Sequence, residues 1–104
     1  MTHLTGKDVE TVVRILAGHL PGIDVRVYGS RAGKTAKRFS DLDLALMTTR
    51  PLPMETLGRL REEFSESDLP FRVDLLDWAA TDQALRRNIE SQLAPLQGYR
   101  VLRT

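Results

Sequence analysis

Cysteine is absent from this chain, and histidine occurs only at His3 and His19. The first absence removes disulfide staples and thiolate metal sites, and the second leaves too few imidazoles for a zinc centre. Aromatic residues are sparse at 6%, with Trp78 the single tryptophan. No apolar run approaches the ~20 residues that a membrane-spanning helix requires. The opening MTHLTGKDVE lacks the basic and apolar regions of a secretion signal. The expectation is a cytoplasmic protein with no membrane attachment. A net charge of +1 also lacks the excess on which nucleic-acid binding rests, so direct nucleic-acid binding is disfavoured.

What is present is ordinary globular material: 104 residues, 41% hydrophobic and 28% charged. That length predicts one domain over residues 1–104, burying roughly two-thirds of its unfolded surface. Thr5 and Asp8 resemble a capping box, and Val9, Val12, Val13, Leu16 and Leu20 then mark one face of a helix that Pro21-Gly22 stops. Val25–Tyr28 and Leu42–Met47 alternate as strands, the second with Asp41 as a possible first residue. Pro51 and Pro53 open a second helix whose apolar face is Leu57, Leu60 and Phe64. Residues 71–76 read as a third strand. Thr81 or Asp77 is expected to cap a third helix carrying Ala84, Leu85, Ile89 and Leu93, ended by Pro95 and Gly98. Residues 99–102 are expected to add an edge strand. The fold class is α+β, in the order α-β-β-α-β-α(-β), with a small mixed sheet and helices packed on one face.

The chemistry lies between the first two strands. Gly29-Ser30 breaks the first, residues 31–40 intervene, and Asp41 and Asp43 follow. Glycine lets the backbone approach a ligand closely, and consecutive N–H groups beside a hydroxyl make an anion nest. In an extended chain Asp41 and Asp43 share one face, about 6.6 Å apart, while Leu42, Leu44 and Leu46 take the other. Carboxylates that close tend to hold a proton or a metal, and oxygen-only ligands suit Mg²⁺ or Mn²⁺. An isolated Asp-x-Asp is equally a solvated strand face, and Gly-Ser alone is a common turn. The joint arrangement, with Asp74 in a later strand as a third carboxylate, is more specific. Arg31, Lys34, Lys37 and Arg38 make the intervening loop basic. Of these, Arg31, Lys37 and Arg38 are candidates to steady an anionic leaving group. Ser40 either orients Asp41 or caps the turn.

The segment GSRAGKTAKRFSDLDLAL resembles the signature of the DNA polymerase β-like nucleotidyltransferase superfamily, and more narrowly that of the minimal nucleotidyltransferases of prokaryotes. RVDLLDW resembles the strand that supplies this family's third carboxylate. The likeness spans roughly residues 25–78. It implies that Gly29 and Ser30 bind the β- and γ-phosphates of a nucleoside triphosphate, that Asp41 and Asp43 bind two Mg²⁺ ions, and that Asp74 completes the metal site and helps activate the attacking hydroxyl. It further implies ATP as substrate and a small helical-bundle partner, either a HEPN-type ribonuclease toxin or a substrate-binding subunit. In the toxin pairing the nucleotidyltransferase is an antitoxin that transfers AMP to a tyrosine of its partner.

Relatives often read Gly-Ser-Arg-Ala-x-Gly, whereas Gly33 and Lys34 occupy the last two places here. On that departure rests an alternative, an antitoxin or subunit that acts by binding its partner. A transferase for a small aminoglycoside-like acceptor is a further alternative. The chain shows no obvious second pocket for such an acceptor.

Overall fold

The computed structural model describes residues 4–32 and 39–96. The chain order is α1 (Gly6–His19), β1 (Val25–Tyr28), β2 (Leu42–Leu46), α2 (Met54–Ser65), β3 (Val73–Asp77), α3 (Gln83–Glu90) and β4 (Ala94–Pro95), with 3-10 turns at Gly29–Ala32 and Trp78–Ala80. This is a mixed α+β fold. The strands form one sheet in the order β3-β2-β1-β4. β1 runs antiparallel to β2 and β4, and β2 runs parallel to β3.

α1 starts where its capping box predicts. The Asp8 amide donates to Thr5 Oγ1 at 3.1 Å, and the Thr5 amide donates back to Asp8 Oδ2 at 3.4 Å. The helix buries Val12, Ile15 and Leu16, with Leu20 just beyond it. Ile15 fills a core position that the expected pattern omits, whereas Val9 and Val13 stay partly exposed. These residues meet Val25 and Val27 of β1, Leu42, Leu44 and Leu46 of β2, and Leu60 and Phe64 of α2 in one core. Alternation along β1 and β2 therefore commits one sheet face to the helices α1 and α2 and puts Arg26, Tyr28 and Asp43 on the other, where Ala45 is also buried.

The C-terminal third departs from expectation. α3 is capped by Asp82, whose carboxylate accepts from the Leu85 amide at 2.9 Å, and neither Thr81 nor Asp77 takes that role. Of the expected α3 apolar face only Ile89 is buried, while Ala84 and Leu85 are exposed. The helix stops at Glu90, because Ala94 and Pro95 leave it to pair with Val27 and Arg26 at the edge of the sheet. Proline is tolerated there because the outer rim of an edge strand needs no donor. The expected strand at 99–102 lies outside the described residues, as do Gly33, Lys34, Lys37 and Arg38.

Candidate active site

Register assembles the centre of the site. In the antiparallel pair Tyr28 lies opposite Asp43, and in the parallel pair Asp43 lies opposite Asp74. Cross-strand neighbours of this kind have Cβ atoms about 4.5–5.5 Å apart. The three side chains form a row across three strands, on the face that the core leaves free. Asp41 precedes β2 and is exposed.

The row is electrostatically tense. Burial, then the charges of Asp74 and Asp41, then a hydrogen bond shared with Asp74, push the Asp43 carboxyl up to about 6. Burial and the charges of Asp43 and Asp74 also raise the Tyr28 phenol above its ordinary range. Among the described residues the cation paired to the row is Arg72, whose Nη2 reaches Asp74 Oδ1 at 3.4 Å on an exposed surface. A half-buried carboxyl raised beside two further carboxylates marks a site that a divalent cation would relieve. The donor set therefore fits a hard metal ion. Among the described residues no three acidic or imidazole groups are yet drawn into one metal-binding cluster. The structure brings Asp43 and Asp74 together and leaves Asp41 acting on Asp43 through charge.

Beside the row, Gly29 carries a φ of +73°, the left-handed region that favours glycine. A Cβ at this position would overlap the Asp43 carboxylate. Glycine here thus serves both the turn and the close approach of backbone to the acidic row. Ser30 is exposed. The Gly29 amide donates to Gln92 Oε1 at 3.2 Å, so a side-chain oxygen from the turn after α3 now sits where an anion oxygen is expected.

Arg31 behaves differently from the expectation of a leaving-group clamp. It is fully buried, its Nε donates to the Ser40 carbonyl at 2.9 Å, and its guanidinium lies 4.3 Å from the centroid of Phe71. This fits a fastening of the loop between Ser30 and Asp41 better than contact with pyrophosphate. Ser40 accordingly contributes its backbone to the fastening.

Asp77 was expected to be a cap. It is instead a buried clamp: Thr48 Oγ1 and the Leu52 amide both donate to its carboxylate, the latter at 2.7 Å. Thr48 Oγ1 in turn accepts from the Ala79 amide at 3.0 Å. Through these bonds the end of β3 is tied to the segment leaving β2, which holds the parallel register that pairs Asp43 with Asp74. Outside β3 runs a cleft of ≈ 460 Å³, lined by Phe64, Leu69 and Phe71 with Arg61, Arg72 and Asp74. Trp78 is partly exposed and lies beneath the guanidinium of Arg86, 5.4 Å from its ring centroid.

A glycine turn beside carboxylates paired across a parallel strand junction is the arrangement of a nucleotidyltransferase. Residues 10–96 match the family described as Polymerase beta, Nucleotidyltransferase, and the chain belongs to it. A protein of Haemophilus influenzae (strain ATCC 51907 / DSM 11121 / KW20 / Rd), named "Probable protein adenylyltransferase MntA", is 43% identical over 94 residues, covering 90% of this chain and 82% of that protein. The fold is also that of a crystallised toxin-antitoxin with AMP-PNP (TM-score 0.70, 23% identity, 89% of this chain and 75% of the other). A mutant toxin-antitoxin MntA-HpeT shares it as well (TM-score 0.61, 17% identity, 88% and 74%). Among the described residues no helix is long and apolar enough to cross a membrane.

Proposed function

We propose that the chain transfers AMP from ATP to a tyrosine hydroxyl of a helical-bundle partner and so acts as the antitoxin of a toxin-antitoxin pair. The observation that carries this reading is the pairing of Asp43 with Asp74 beside the positive-φ turn at Gly29. The relative named as a protein adenylyltransferase supports AMP as the group moved and a protein as the acceptor. The toxin-antitoxin structures that share the fold support the kind of partner.

In this reading Gly29 and Ser30 hold the β- and γ-phosphates, the Gln92 carboxamide giving up the Gly29 amide to them. Asp41, Asp43 and Asp74 are the residues that would hold Mg²⁺. Bound there, the ion supplies neutralisation of the phosphate charge and of the leaving oxygen. Asp74 stands at the outer end of the row, facing the approach from β3, and accepts the proton of the attacking hydroxyl. The new bond joins the acceptor oxygen to the α-phosphorus. The bond from that phosphorus to the bridging oxygen breaks, and pyrophosphate leaves. Arg31 acts as a positioning residue that fastens the loop leading to Asp41. Lys37 and Arg38 are retained as candidate phosphate contacts, and the protein is expected in the cytoplasm.

The test is incubation of the chain with its candidate helical-bundle toxin, α-labelled ATP and Mg²⁺. Label should enter the partner with the parent chain and be lost with Asp43→Asn or Asp74→Asn. Neutralisation of the partner by both variants without any label would sink the transfer reading.

A further inference from the structure

The row across the sheet has a third member that the transfer reading leaves without a task. Tyr28 ends β1 immediately before the Gly29 turn and lies opposite Asp43 in the antiparallel register. Val25 and Val27 point into the core, so Tyr28 is committed by alternation to the face that carries Asp43. It is half-buried, and among the described residues no hydrogen bond engages its hydroxyl. The register that sets Tyr28 opposite Asp43, and Asp43 opposite Asp74, puts its side chain in the same row as the two carboxylates.

We propose that the Tyr28 hydroxyl is a further binding group of the site, donating a hydrogen bond to a phosphate oxygen of the nucleoside triphosphate held at Gly29 and Ser30. This rests on the nucleotide-transfer reading. The chemistry of the position selects such a group. A lysine between Asp43 and Asp74 would pair with them and compete with the metal that the carboxylates are suited to hold. A phenylalanine would fill the same volume and offer no donor. Tyrosine supplies a neutral O–H donor at that volume. The ring is fixed by a strand, so the donor is aimed before ligand arrives and little side-chain freedom is lost on binding.

The experiment compares the parent chain with Tyr28→Phe by calorimetric titration with Mg²⁺-ATP in the absence of partner, together with thermal melting of each. A hydrogen bond to a charged group corresponds to about a tenfold or greater difference in affinity. The expected result is ATP binding about tenfold weaker in Tyr28→Phe, with an unchanged melting temperature before ATP is added. In transfer assays the variant should show a raised KM for ATP and a smaller change in kcat. Equal affinity in the two proteins overturns the role of Tyr28 and leaves the transfer reading standing. Failure of the parent chain itself to bind Mg²⁺-ATP overturns both.

Discussion

Asp43 and Asp74 face each other across a parallel strand pair, and burial together with the charges of Asp74 and Asp41 pushes the Asp43 carboxyl up to about 6. A carboxyl raised in the folded state makes the native protein bind more protons than the unfolded chain between pH ~4 and ~6. Stability contributed by this group therefore falls as pH rises through that window, and the full penalty is present above it. Asp43→Asn should melt above the parent at pH 7.5, with the gap closing toward pH 4, while transfer is lost. Thermal melts across that range check the sign, and a variant less stable at pH 7.5 would contradict it.

Divalent metal should act on the same tension. At a hundredfold excess over its dissociation constant, an ion that binds only the folded state adds about 2.7 kcal/mol. Mg²⁺ is expected to raise the melting temperature of the parent more at pH 7.5 than at pH 5, where the proton on Asp43 competes. Asp43→Asn should show little of this response. Differential scanning fluorimetry with Mg²⁺ titrated at both pH values is the measurement.

Gly29→Ala tests the turn. The new methyl meets the Asp43 carboxylate, and the left-handed backbone disfavours any side chain, so destabilisation of about 1–3 kcal/mol is expected. ATP affinity should fall further than stability alone accounts for, because the amide and the acidic row separate together. Urea unfolding beside nucleotide titration distinguishes the two losses.

Asp77→Ala tests the clamp. It strands the Leu52 amide and the Thr48 hydroxyl, and leaving buried donors unsatisfied costs about 1–3 kcal/mol. Asp77→Asn keeps an acceptor oxygen and should recover part of that loss. Amide exchange should quicken along β2 and β3 in the alanine variant before it does so in β1.

The N-terminal two-thirds of the fold was legible because local signals agree there. The Thr5–Asp8 box, the stop at Pro21-Gly22 and the β-branched alternation of Val25–Tyr28 each name one structure. The strands that carry Asp43 and Asp74 were legible too. Their in-register pairing was not, because register is decided by core packing and the Asp77 clamp. The surroundings of Arg31 were hidden for a related reason. A basic residue after a glycine turn suggests a ligand contact, and nothing local shows that Phe71, forty residues away in the chain, stacks on it. The end of α3 misled because the pairing of Ala94–Pro95 with β1 is a tertiary choice that propensity does not contain. Strand alternation could have put Tyr28 on the face opposite Val25 and Val27, though not in register with Asp43.

Among the described residues β3 is the last strand of its sheet on that side, and Asp74 sits on it. In the proposed transfer, a proton acceptor on that outer strand would be reached laterally, by a body far too bulky to enter an enclosed cavity. The reacting hydroxyl then need not come loose from its own folded scaffold. It has only to stand proud of that scaffold's surface, and the two proteins can meet as intact solids along the rim.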